Sequence, residues 1–183
     1  MKSVKLTAIA LAAILSAAAV PALAQVMVGG APMYSSKDIV DNAVNSKDHT
    51  TLVAAVKAAG LVPTLKGAGP FTVFAPTNAA FAALPAGTVD NLLKPENKAA
   101  LTKVLTYHVV AGKLETAALI KAVDAGGGKA TLTEVSGGTL TVTKSGTMIM
   151  LSDESGGMAH VTIPDVVQSN GVIHVVDKVL LPK

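Results

Sequence analysis

The stretch GPFTVFAPTNAAF, residues 69–81, decides the fold of this 183-residue chain. Residues 71–75 are apolar at all but one position, so the strand that they predict has two largely apolar faces. Strands of this kind lie inside a sheet that is covered on both sides. Thr77 or Asn78 can then cap a short helix, which returns to the same core. We therefore expect three aromatic side chains to be buried: Phe71, Phe74 and Phe81.

Outward from this stretch, the hydrophobic period differs between the two halves of the chain. Helical spacing predicts helices at about 38–44, 50–59, 78–84, 88–93, 96–105 and 115–123. Alternation of apolar and polar residues predicts strands at about 71–75, 107–110, 131–135, 139–143, 147–151, 158–163, 165–168 and 172–181. Helices concentrated before strands favour an α+β fold with a mostly antiparallel sheet over a doubly wound βαβ fold.

Residues 1–24 have the three parts of a secretory signal peptide. Lys2 and Lys5 form a basic start, an apolar run covers 6–20, and the residues ALA at 22–24 are an A-x-A cleavage site. The apolar run is shorter than the roughly 20 residues that a membrane-spanning helix needs. The predicted divisions are a signal peptide at 1–24, an extended arm at 25–35 and a domain at 36–183. We expect export to the periplasm or the extracellular space.

The composition excludes several classes of function. All 15 basic residues are lysine, and removing Lys2 and Lys5 with the signal peptide leaves 13 lysines against 12 acidic residues. A nearly neutral chain without arginine, and with few aromatic residues, lacks the usual means of binding nucleic acid. The absence of cysteine excludes disulfides, zinc–thiolate sites, iron–sulfur clusters and thiol nucleophiles.

Three segments together resemble the fasciclin domain family. They are the stretch at 69–81, LTYHVV at 105–110 and NGVIHVVDKVLLP at 170–182. Each segment alone would be a weak signal, but thirteen-residue motifs near both ends of one domain, in the right order and spacing, are specific. The resemblance covers about residues 36–183.

The resemblance implies a wedge of two mostly antiparallel β-sheets with several short helices packed along one side. The family's structural motif falls on Phe71, Phe74, Pro76, Thr77, Asn78, Phe81, Gly171, His174 and Asp177. Asn78 stands where many members carry Asp; it caps a helix about as well, but a local negative charge is absent. The sequence itself predicts that Gly171, after Asn170, occupies a turn with positive φ.

The tyrosine–histidine segment has two interpretations. The family's segment has been linked to receptor binding, which here would involve Tyr107 and His108 with Leu105 and Val109. In the other interpretation both rings pack in the core, with their polar atoms hydrogen-bonded inside the protein. The apolar neighbours favour the core, and the same holds for His174. Exposed neighbours such as Lys103, Lys113 and Glu115 would then make any contact with a partner.

Methionine and histidine side chains raise the question of a metal. Met27, Met33, Met148, Met150, Met158 and His160 carry ligand atoms soft enough for copper(I). Met148 and Met150, however, share one face of a predicted strand, and methionine is an ordinary filler of hydrophobic cores. We therefore favour core packing and expect no bound metal.

The favoured function is that of a non-enzymatic protein for cell adhesion, or for binding an extracellular or envelope protein or a surface polymer. No G-x-S-x-G motif is present, and the glycine-rich runs lack the Lys-Ser/Thr of a phosphate loop, so we expect no catalytic residues and no cofactor. The alternative is a carrier that holds a small hydrophobic ligand in an apolar groove. The sequence leaves the partner and the oligomeric state open, with a monomer as the working expectation.

Overall fold

The computed structural model describes residues 25–183, with short helices in the first half and strands in the second. The predicted signal peptide at 1–24 lies outside the described residues. The first half contains β1 (Met27–Val28), β2 (Ala31–Pro32), α1 (Ile39–Ala43), α2 (Thr50–Ala59), α3 (Val62–Leu65), β3 (Phe71–Pro76), α4 (Asn78–Ala82) and α5 (Thr88–Leu92). The rest contains α6 (Lys98–Tyr107), β4 (Val109–Ala111), α7 (Thr116–Ala125), β5 (Lys129–Thr133), β6 (Thr139–Ser145), β7 (Met148–Ser152), β8 (Met158–Gln168) and β9 (Gly171–Val176). None of the helices in this part of the chain is long and apolar enough to cross a membrane.

Seven strands are hydrogen-bonded in the order β4–β3–β9–β8–β7–β6–β5. Neighbouring strands are antiparallel except β3 and β9, which run parallel. Strand β8 belongs to two sheets, because its first residues pair with β7 and its later residues with β9. The first sheet contains β4, β3, β9 and the later part of β8, and the second sheet contains β5, β6, β7 and the first part of β8. The pairing is irregular between Val161 and Val166, where Asp165 has a φ of 55°. The predicted α+β fold is therefore confirmed, although the strands predicted at 158–163 and 165–168 are one irregular strand.

The outer strands of the two sheets meet, and this contact closes one side of the wedge. Val110 in β4 forms an antiparallel bridge with Glu134, which directly follows β5. The backbone N–H of Val135 also donates a hydrogen bond to the carbonyl oxygen of Val109 at 2.9 Å. The first and last strands of the sheet order are thus joined to each other.

Two apolar clusters cover the two faces of β3. On one face, Val73 and Ala75 pack with residues of α1, α2 and α6. On the other face, Phe74 packs with residues of α7 and of the strands β6, β7 and β8. Phe74 is fully buried, and its ring stacks on His174 with the ring centroids 5.6 Å apart. The predicted strand with two apolar faces is confirmed.

The aromatic residues at the two ends of the opening stretch differ in burial. Phe81, in α4, is buried as expected. Phe71 is only half-buried, so its expected burial is wrong. It is the first residue of β3 and pairs with the exposed Ala111 on one side and with Gly171, which has no side chain to cover it, on the other.

The segment 25–35 is not the extended arm that the sequence predicted. Strands β1 and β2 form a hairpin, and the two glycines between them, Gly29 and Gly30, both have positive φ. Val28 and Met33 are buried in the cluster on the helical side of β3. The tight glycine turn and these two apolar anchors explain why the segment folds onto the domain.

Gly171 is required for a different reason than the predicted turn. Its φ is not positive; it lies in β9, directly opposite Phe71 of β3. A Cβ atom at this position would collide with the carbonyl oxygen of Phe71. Close approach of the two parallel strands, and not turn geometry, therefore excludes a side chain here.

Thr77 and Asn78 make different contacts, although the sequence predicted that either one could cap α4. Thr77 is the N-cap of α4, and its side chain accepts a hydrogen bond from the N–H of Ala80 at 3.2 Å. Asn78 instead connects α4 to the start of α2: its Oδ1 accepts from the N–H of Thr51 at 3.0 Å, and its Nδ2 donates to the carbonyl oxygen of Lys47 at 2.8 Å.

Replacing Phe74 by alanine should destabilise the domain by about 3–5 kcal/mol, because the ring is fully buried in the cluster between β3 and the second sheet and is stacked on His174. Phe71→Ala is the matched control and should cost clearly less, since Phe71 is half-exposed. Urea denaturation of both variants measures the difference. Equal midpoints for the two variants would contradict the central position of Phe74.

Candidate functional site

The tyrosine–histidine segment lies where α6 ends and β4 begins. Tyr107 is the last residue of α6 and His108 is its C-cap, so the strand starts two residues later than the sequence predicted. The helical spacing of Leu101, Val104 and Leu105 continues through Tyr107, three residues after Val104. This spacing keeps the helix packed for two more residues than the local strand propensity suggested.

Tyr107 joins α6 to the second sheet. Its side chain is fully buried, and its hydroxyl donates a hydrogen bond to the carbonyl oxygen of Thr139 at 2.7 Å. The same hydroxyl accepts a hydrogen bond from the N–H of Glu154 at 3.1 Å. Burial raises the pKa of Tyr107 to about 12. Both hydrogen-bonding roles of the phenol are therefore satisfied by the protein backbone.

His108 joins α6 to the C-terminal segment. Its Nδ1 lies 2.8 Å from the carbonyl oxygen of Val104, so Nδ1 carries the proton and donates it. Its Nε2 then accepts a hydrogen bond from the N–H of Leu180 at 3.0 Å. Burial lowers the pKa of His108 to about 4. This neutral imidazole has no nitrogen left for a metal, a substrate or a proton transfer.

The four residues of the segment to which the resemblance assigned binding come together inside the protein. Leu105 and Val109 are buried beside the two rings. None of the four is exposed enough to form a contact surface. The structure thus agrees with the core interpretation of Tyr107 and His108.

His174 and Asp177, from the last motif, also make internal contacts. The Nε2 of His174 lies 2.7 Å from the carbonyl oxygen of Leu114, and its Nδ1 accepts from the N–H of Asp165 at 3.3 Å. Desolvation lowers the pKa of His174. Asp177 contacts His160, whose backbone N–H donates to Oδ1 at 2.7 Å and whose Nδ1 lies 3.0 Å from Oδ2.

Beside the segment, an apolar cavity of about 70 Å³ lies between the helices and β3. Its lining includes Ile39, Val56, Val73, Leu105, Val109 and Ile173. Two polar side chains at the cavity are bonded to each other, because the Oγ of Ser46 lies 2.9 Å from the Nδ1 of His49. The cavity therefore suits an apolar occupant.

Two buried acidic residues near the segment had no sequence signal that set them apart. The Oδ2 of Asp153 accepts from the N–H of Leu181 at 2.9 Å, and so fixes the C-terminal segment next to His108. Glu134, at the contact between the outer strands, is buried, and desolvation raises its pKa to about 8. Each residue directly precedes a turn, and its burial comes from contacts with segments distant in the sequence.

A model of the fasciclin domain matches residues 47–182, which is most of the chain. The chain belongs to the fasciclin domain family. It is 49% identical to protein sll1483 of Synechocystis over 158 residues, a match that covers 85% of this chain and 79% of that protein. It is 39% identical to immunogenic protein MPB70 of Mycobacterium bovis over 145 residues, or 76% of this chain and 66% of that protein.

A solved structure shares the fold of this fasciclin domain. A pair of FAS1 domains from the insect cell adhesion molecule fasciclin I aligns with a TM-score of 0.70 and 18% identity, covering 79% of this chain and 51% of that one. At this identity the comparison bears on the fold alone. It supports the wedge that the resemblance implied.

In this fasciclin domain, Tyr107→Phe should lower the free energy of unfolding by about 1–3 kcal/mol. The substitution removes the hydroxyl and leaves the carbonyl of Thr139 and the N–H of Glu154, in partly buried hydrogen bonds, without their partner. Chemical denaturation measures the loss. Tyr34→Phe, at the only other tyrosine, is the matched control and should cost little. A Tyr107→Phe protein as stable as wild type would contradict the internal role of the hydroxyl.

The imidazole of His108 should stay neutral down to about pH 5, and NMR titration of its ring resonances measures this directly. The folded pKa lies below the ordinary value of 6.5, so the unfolded chain takes up the proton first as the pH falls. The free energy of unfolding should therefore decrease progressively between about pH 6.5 and pH 4. A His108 resonance that titrates near pH 6.5 in the folded protein would contradict this assignment.

Proposed function

We propose that this protein is an exported, non-enzymatic adhesion module that binds a protein or a surface polymer outside the cytoplasm. The observation that carries the proposal is the internal use of the side chains that could otherwise do chemistry. Tyr107, His108 and His174 each have their polar atoms bonded to the backbone. The signal-peptide pattern at 1–24 and the fold shared with an insect cell adhesion molecule also support it.

We place the contact surface on exposed residues around the buried segment. Lys103, on α6, is exposed, and its Nζ lies 2.6 Å from the backbone oxygen of Lys183. Lys113 and Glu115, which follow β4, form a half-exposed salt bridge of 2.8 Å. Because exposed ion pairs contribute little to stability, these residues can be replaced without unfolding the domain.

The test is attachment of cells of the source organism to surfaces coated with the purified protein. The combined variant Lys103→Ala, Lys113→Ala and Glu115→Ala should lose more than half of the attachment at an unchanged melting temperature. The matched control replaces another exposed pair and one further lysine: Lys94→Ala, Glu96→Ala and Lys129→Ala. Equal attachment to coated and uncoated surfaces would contradict the adhesion function.

A second candidate function, transport of a small apolar ligand, is favoured by the cavity beside the segment. A volume of about 70 Å³ exceeds what one water molecule needs, and apolar cavities of engineered proteins stay dry and take up apolar ligands. Val135 and Lys57, both exposed, belong to its lining, so the cavity reaches the surface. A ligand could enter there without unfolding of the helices.

Ala43→Leu should fill the cavity and abolish ligand uptake, because Ala43 belongs to its lining. Ala54→Leu, at an exposed position of α2 away from the cavity, is the matched control. Xenon under pressure should shift the methyl NMR resonances of Val56 and Ile173 in the wild type and in the control, but not in Ala43→Leu.

Solvent extraction of the protein purified from its own organism should yield an apolar compound. An extract without an apolar compound, or xenon-induced shifts in Ala43→Leu equal to those in the wild type, would contradict the transport of an apolar ligand.

A further inference from the structure

Three of the methionines lie on the solvent face of the second sheet, contrary to the expected core packing. The side chains of Met148 and Met158 are 52% and 46% exposed, and that of Met150 is half-buried. The inward positions of β7 are occupied by Ile149 and Leu151, which are buried. Because strand residues alternate between faces, the methionines of β7 point outward. They are therefore not fillers of the core.

The strand register places His160 among these thioethers. Met150 in β7 is directly opposite His160 in β8. Side chains at directly opposite positions have Cβ atoms about 4.5–5.5 Å apart, and diagonal neighbours are also within reach of long side chains. Met148 and Met158 are the diagonal neighbours on opposite sides of this pair, about 13 Å apart along the strands, so either one, but not both at once, can complete a site with His160 and Met150. One imidazole and three thioethers thus share one exposed patch.

A carboxylate fixes the ring of His160. The Oδ2 of Asp177 lies 3.0 Å from its Nδ1, and Oδ1 accepts from its backbone N–H at 2.7 Å. With the Nδ1 proton donated to Asp177, the Nε2 lone pair is available. Within residues 25–183 no hydrogen bond to this nitrogen is formed, whereas the other three histidines have both ring nitrogens within hydrogen-bonding distance of other protein groups.

We propose that His160, Met150 and one flanking thioether, that of Met148 or of Met158, form a surface site for copper(I). Thioethers are soft ligands and imidazole suits copper, so the set favours Cu(I) over harder cations. Histidines that bind metals usually donate their second ring N–H to a carboxylate, which is the arrangement of His160 and Asp177. In the described part of the chain no cluster of three His, Cys, Asp or Glu residues competes for a metal.

The test is a titration of the purified protein with Cu(I), kept reduced by ascorbate, in competition with a chromophoric Cu(I) chelator. We expect one Cu(I) per chain. Met150→Leu and His160→Gln should each weaken binding at least tenfold, while Met27→Leu, at an exposed methionine outside the patch, should leave it unchanged. Leucine nearly conserves the volume of methionine, so circular dichroism and thermal melting should show that the variants stay folded.

Methyl NMR of the methionines distinguishes this site from unspecific thioether binding. On addition of Cu(I), the methyl signals of Met150 and of at least one of Met148 and Met158 should shift, and that of Met27 should not. Equal shifts at all exposed methionines would overturn the proposal. So would the absence of Cu(I) uptake, the result expected if the patch serves only as an apolar contact for another protein. Unchanged affinity in both Met150→Leu and His160→Gln would overturn it as well.

Discussion

Both faces of strand β3 are shielded from water, and the rest of the domain packs against one face or the other. Helices α1, α2 and α6 pack on one face, and the second sheet packs with α7 on the other face. Parallel pairing with β9 brings the two most distant motifs of the chain together, and Gly171 lets their backbones approach closely. The ring of Phe74 in β3 also stacks on His174 of β9. The helices and the second sheet therefore pack against the same central pair of strands.

Polar side chains that are hydrogen-bonded to the backbone connect the elements around this apolar centre. His108 connects a helix end to the C-terminal segment, Tyr107 connects the same helix end to the second sheet, and Asn78 connects two helices. Asn78 both donates and accepts, which a carboxylate cannot do, so the amide found here serves the contact with the carbonyl of Lys47 better than Asp would. Replacing His108 leaves the buried N–H of Leu180 without its partner, and this cost favours the native packing over alternatives.

The sequence predicted the fold well wherever the pattern was long. The two-sided strand, the separation of helices from strands and the core position of Tyr107 and His108 followed from apolar periodicity and from the family motifs. Features set by tertiary contacts were missed. Periodicity shows that Met148 and Met150 share a face, but not which face points inward; the buried Ile149 and Leu151 decide that. The role of Gly171 depends on its parallel partner, and strand propensity at Tyr107 gave way to two more residues of packed helix.

The contact between β4 and the end of β5 has a consequence for how the protein behaves at high local concentration. Outer strands of an open sheet expose unpaired N–H and carbonyl groups, which can recruit strands from other molecules and start aggregation. Here the three-residue β4 is bridged to Glu134, and Val109 accepts the N–H of Val135. The backbone groups paired in this contact are not available to a strand of another molecule, so this corner of the domain is protected from edge-to-edge association.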